Sequence, residues 1–168
     1  MQTRDFVDVA ARSRELGCRV PVRVALLPGN FATAANPGEF CFHEATPHIR
    51  SAWQSVGLVD EGPDLARDMT QSSSIGIVSQ AETNAGIPLV AFFGAGQLTG
   101  PEWCPTVALG MVSRVLALDP CCASPRDVRL DVVVERPGER GCECIEYRGD
   151  AVGIVVLVRD VRRIWADK

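Results

Sequence analysis

Hydrophobic positions recur along the chain with two different spacings, and each spacing predicts a different kind of element. Alternation predicts strands at 20–28, VPVRVALLP, and at 128–135, VRLDVVVE; the latter pairs with 142–148, CECIEYR, as a hairpin. Spacings of three and four residues predict helices at 4–16, 46–56, 105–118 and 150–165. The pattern therefore predicts an α+β fold with a small antiparallel or mixed sheet and helices packed mainly on one face.

The most apolar part of the chain, 87–118, contains a glycine-rich bend in FFGAGQLTGPEWCP, residues 92–105. The preceding segment 87–98 fits either a strand or a helix, and the sequence leaves that choice open. The glycines Gly94, Gly96 and Gly100 are spaced one residue too far apart for a dinucleotide-binding turn, and prolines follow where its helix should begin. We interpret the bend as a close contact between two buried helices that pack under the sheet, and we expect no nucleotide cofactor.

Composition limits the possible classes of function. A chain of 168 residues with 46% hydrophobic residues predicts one globular domain spanning 1–168. The net charge of −4 argues against a protein that binds nucleic-acid backbones. No apolar run is long enough for a membrane span, and the amino terminus is not typical of a secretory signal. Seven scattered cysteines are then expected to be reduced thiols in a cytoplasmic protein.

Candidate chemistry centres on Cys41, His43 and His48, which lie close together in the sequence, and Ser72–Ser74 beside several acidic residues offer a further nucleophile. Cys41 and the two histidines could hold a metal, with further ligands from Cys142 and Cys144 or from the pair 121–122, or they could supply a cysteine nucleophile and its base. Their spacing matches no common zinc motif. We therefore favour thiols that fill gaps in the core and solvent-facing histidines, and we expect no catalytic residue, metal or cofactor.

A cluster of arginines marks the last predicted helix. Arg159, Arg162 and Arg163 fall on its polar side, whereas Trp165 falls on its apolar side. Such arginines either form a solvated helix face or dock an acidic partner. They are the only interaction residues that the sequence singles out.

Three stretches carry a family resemblance: HEATPHIRSAWQSVGL, PTVALGMVSRVLAL and RLDVVVERPGERGCECIEYRGDAVGIVVLVRDVRRIW. Their pattern resembles small uncharacterised bacterial proteins. Their order of helix, hairpin and helix is similar to the effector-associated constant component domains of bacterial conflict systems. The resemblance implies an adaptor that links sensors to effectors without a catalytic site, and it assigns no functional residue.

Taken together, these features predict a non-catalytic interaction module of a cytosolic bacterial signalling or defence system. A protein partner is expected and a homo-oligomer is possible, with no nucleic acid and no membrane span. The alternatives are a small cysteine/histidine-dependent or metal-dependent enzyme centred on Cys41, His43 and His48, and a nucleotide-binding sensor that uses the turn 92–100.

Overall fold

The computed structural model describes residues 2–63, 87–95, 104–118 and 127–166. Five strands and four α-helices lie in these ranges. In chain order they are β1 (Gln2–Phe6), α1 (Val9–Glu15), β2 (Val24–Leu27), α2 (Thr46–Ser55), β3 (Leu89–Phe93), α3 (Cys104–Leu118), β4 (Val128–Glu135), β5 (Cys142–Gly149) and α4 (Leu157–Ala166). Two 3₁₀ helices, Pro37–Glu39 and Ala151–Val156, complete the regular structure of the described ranges.

The five strands form one mixed sheet in the order β1-β5-β4-β3-β2. The hairpin β4–β5 is antiparallel, and it pairs Val132 with Ile145. Strand β3 runs parallel to β4, with Ala91 opposite Val132, and β2 runs antiparallel to β3. The predicted α+β class with a mixed sheet is confirmed, and the predicted hairpin is present in the predicted place.

Both faces of the sheet are covered at strand β3. Successive residues of β3 point to opposite faces, and all five are buried: Leu89, Ala91 and Phe93 on one side, Val90 and Phe92 on the other. A strand with helices or loops on both faces has no polar side, which explains the uninterrupted apolar run LVAFF.

Helices α2, α3 and α4 cover the first face, in agreement with the prediction that helices lie mainly on one side. The Trp53 side chain of α2 is fully buried there, and its indole N–H donates to the carbonyl of Ala108 in α3 at 3.0 Å. This bond satisfies the polar atom of a large core residue and fixes the two helices against each other.

Helix α1 and the loop 28–42 cover part of the second face. The loop buries Phe31, Ala34 and Phe40 against the sheet, and the rings of Phe31 and Phe40 lie 6.2 Å apart. The Arg12 guanidinium of α1 donates to the carbonyls of Phe31 and Ala34, so the helix and the loop form one layer.

The outer edge of β2 is closed by two carboxylates. Asp60 accepts a hydrogen bond from the Leu26 N–H at 2.9 Å and pairs with Arg50 at 2.8 Å. Glu61 accepts from the backbone N–H groups of Val22 and Arg23. Backbone donors that an open sheet edge would expose are thereby satisfied within the chain.

Two predicted elements are wrong. The first is the helix 4–16: residues 2–6 form strand β1 on β5, and the helix begins only at Val9, after Asp8 caps it by accepting from the Ala11 N–H. Pairing with β5 satisfies the backbone of this segment and overrides its helical spacing. The predicted strand 20–28 is confirmed only over β2, residues 24–27.

The second correction concerns 87–118, where the bend was interpreted as a contact between two helices while the state of 87–98 itself was left open. Only α3 is a helix; 89–93 is a strand inside the sheet, not a helix beneath it. The bend at Gly94 is nevertheless a close contact, because its N–H donates to the Arg23 carbonyl at 2.7 Å. A Cβ atom at Gly94 would overlap the Val22 carbonyl oxygen and lie 2.7 Å from its carbon. Gly96 and Gly100 lie outside the described residues.

We expect Gly94→Ala to destabilise the protein by at least about 2 kcal/mol, because the added methyl group meets rigid backbone. Gly110→Ala is the matched control: a Cβ at this position in α3 meets nothing within 4 Å, and alanine favours a helix by up to about 1 kcal/mol. Urea unfolding of both variants measures the difference. Equal stability of the two variants would contradict the close contact at Gly94.

Candidate protein-interaction surface

The last helical segment consists of the 3₁₀ helix Ala151–Val156 and α4, and it begins directly after β5. Hydrogen bonds at its start hold it in place. The Asp150 carboxylate accepts from the Val152 N–H at 3.0 Å, which is the contact typical of a capping residue. The Tyr147 hydroxyl donates to the Asp150 carbonyl at 2.6 Å. A side chain at Gly153 would overlap that hydroxyl, so only glycine permits this close approach. These contacts fix the direction of the 3₁₀ helix Ala151–Val156 and of α4 behind it.

The inner face of this segment is apolar and buried. Ile154, Leu157, Val161 and Ile164 join the core on the first face of the sheet, and Trp165 packs with them as predicted. Because these positions recur every three or four residues, the residues between them form a continuous outer face.

Three valines on that outer face are exposed. Val152, Val155 and Val156 keep 66%, 49% and 52% of their surface accessible, whereas most large apolar side chains of the described ranges are buried. Arg159, Arg162 and Arg163 continue the same face towards the carboxyl end of α4. We call this set the valine–arginine surface; it consists of Val152, Val155, Val156, Arg159, Arg162 and Arg163.

The arginines differ in their surroundings. Arg163 lies 3.4 Å from the buried Asp160 carboxylate, one turn back on the same helix, and Arg162 approaches the Thr106 hydroxyl at 3.4 Å. Arg159 is exposed and has no ion-pair partner in the described ranges. The surface thus combines an apolar strip with positive charge.

The structure places Cys41, His43 and His48 just before and within the start of α2. The Cys41 thiol contacts the Glu39 carbonyl at 3.4 Å, and His43 Nδ1 accepts from the Ala45 N–H at the start of α2. His48 is exposed on α2. Among the residues that the structure describes, no hydrogen bond joins the Cys41 sulfur to either imidazole.

Two of the further ligands considered for a shared metal site, Cys142 and Cys144, are core thiols. Cys142 and Cys144 point into the apolar cluster on the second face, and the pair 121–122 lies outside the described residues. Within the described ranges, no group of three or more histidine, cysteine, aspartate or glutamate side chains is placed to hold a metal ion.

The buried thiols have low reactivity at neutral pH. Burial raises the pKa of Cys104 and of Cys142 to about 11 and that of Cys144 to about 12. A thiolate is the reactive form of cysteine, so these three side chains behave as small apolar groups at neutral pH.

One charged cluster was not singled out from the sequence. On the second face of the sheet, Arg4 of β1 pairs with both Glu146 of β5 and Asp131 of β4, and burial raises the pKa of Asp131. The alternation of β4 and β5 places Asp131 and Glu146 on one face, but their juxtaposition with Arg4 requires the pairing of β1, which the sequence did not predict.

Comparisons with protein-family models, with curated proteins and with solved structures find no match to this chain.

Among the described helices, none combines the length and apolar character that crossing a bilayer requires.

We expect Cys104, Cys142 and Cys144 to resist alkylation by iodoacetamide at pH 8, where a pKa of about 11 leaves about a thousandth of a thiol ionised. Cys41, which is partly exposed, should react much faster. Peptide mass spectrometry of the labelled native protein measures each site separately, and unfolding in urea should remove the difference. Fast native labelling of Cys144 would contradict its placement in the core.

Proposed function

We propose that this protein is a non-catalytic interaction module, an adaptor of a bacterial signalling or defence system that acts in the cytosol. In this proposal the valine–arginine surface binds a partner protein through a segment that carries both acidic and apolar side chains. The free thiols of Cys104, Cys142 and Cys144 are consistent with a reducing compartment.

The observation that carries the proposal is the row of exposed valines that leads into the arginines. An isolated exposed valine has no particular meaning, but three within five residues, Val152, Val155 and Val156, form a patch that loses contact with water when a partner covers it. Arginine is enriched at protein interfaces, and Arg159 offers a cation that the described residues leave without an ion pair. An acidic, apolar partner complements both parts of the surface.

The fixed geometry of the surface also supports this use. The Tyr147–Asp150 hydrogen bond holds the beginning of the segment, and the core holds its inner face. A surface that is already rigid loses little conformational entropy when it binds.

The proposal is tested by affinity purification from the source cells with quantitative mass spectrometry. The wild-type chain is compared with Arg159→Glu/Arg162→Glu and with Val152→Asp/Val155→Asp. We expect one partner to be recovered by the wild type and at least about tenfold less by each double variant, because charge repulsion and lost apolar contact both oppose binding. The partner is then purified, and its direct binding to the same variants is measured.

Two controls separate this outcome from others. Arg14→Glu/Arg140→Glu introduces the same change in charge at exposed positions away from the surface and should leave recovery unchanged. Cys41→Ser and His43→Ala should also leave it unchanged. Recovery that is insensitive to the surface variants, or that is lost with Cys41→Ser, would refute the adaptor proposal.

A further inference from the structure

A groove lies between α2 and α3 and shares no residue with the valine–arginine surface. Its volume is about 480 Å³, within the range of about 300–1,000 Å³ that is typical of small-molecule sites. Helix α2 contributes residues at spacings of four and three, and α3 contributes a facing row. The described residues that line it are His48, Ala52, Ser55, Met111, Arg114, Val115 and Leu118.

The lining is apolar along most of its length. Ala52, Met111 and Val115 supply apolar side chains, and Leu118 remains 72% exposed at the end of α3. A leucine with so much exposed surface is stabilised when an apolar molecule covers it and removes that surface from water. Methionine adds adaptability, because its unbranched side chain fits ligands of differing shape.

The ionisable side chains among the described lining residues of the groove are basic. Arg114 and His48 line it, and neither forms an ion pair in the described ranges. No acidic side chain is among the described lining residues. Because a guanidinium presents a planar pair of donors, its natural counterpart is a carboxylate.

Along α3, the described lining of the groove extends from Met111 to Leu118. Met111 and Leu118 are seven residues apart, which corresponds to about 10 Å along a helix. That distance matches an extended alkyl chain of medium length. We propose that the groove binds an amphiphilic monocarboxylate, with the carboxylate on Arg114 and the chain against Met111, Val115 and Leu118.

The test is isothermal titration of the full chain with three probes: octanoate, 1-octanol and acetate. Octanoate should bind saturably to one site, whereas octanol lacks the charge and acetate lacks the chain, so each should bind at least about tenfold more weakly. Arg114→Gln should weaken octanoate binding at least about tenfold. Arg14→Gln, on the far side of the sheet, is the matched control and should leave the affinity unchanged.

A second variant separates the apolar contact from the charge. Leu118→Ser changes an exposed side chain, so the fold is retained, and it should weaken octanoate binding while circular dichroism stays unchanged. The proposal is overturned if octanoate does not bind at millimolar concentration, if octanol or acetate binds as tightly, or if Arg14→Gln and Arg114→Gln weaken binding equally.

Discussion

The structure depends on the burial of β3 on both sides. Its five side chains, LVAFF, are all excluded from solvent, and β2 and β4 satisfy its backbone on both edges. Burying each phenylalanine contributes about 1.5–3 kcal/mol, and neither face could be left open without exposing Phe92 or Phe93 to water. The layers on the two faces, α2–α4 on one and α1 with the loop 28–42 on the other, follow from this requirement.

The described groups that are suited to binding a partner or ligand consequently lie on the surface. The described thiols with raised pKa values lie in the core, where Cys142 and Cys144 pack against apolar neighbours. Buried charges hold the chain together, as Asp60 does for Arg50 and Leu26. Two surfaces in the described ranges carry apolar side chains in water beside arginines: the valine–arginine surface and the groove between α2 and α3. These are the surfaces on which the functional proposals rest.

Local signals allowed parts of the fold to be predicted. The β4–β5 hairpin has alternating residues on both sides of a short turn, and α2 and α3 have helical spacing with prolines in their first turns. Strand β1 could not be predicted, because its structure comes from pairing with the distant strand β5. Thr3, for example, pairs with Ile145, which lies 142 residues further along the chain. The state of 87–98 was open since a fully apolar run has no period, and the sheet selects the strand at 89–93. The arginines of α4 were found from helical spacing, whereas the exposed valines beside them were not singled out from the sequence.

Native-state amide hydrogen exchange tests the central role of β3 most directly. If both faces and both edges of this strand are closed, the amides of residues 90–93 should exchange only through global unfolding, with the free energy measured by denaturant. The amides of the edge strand β1 should exchange faster, through local opening. Exchange of the β3 amides as fast as those of β1 would contradict the account, because it would show that the strand opens without unfolding the rest.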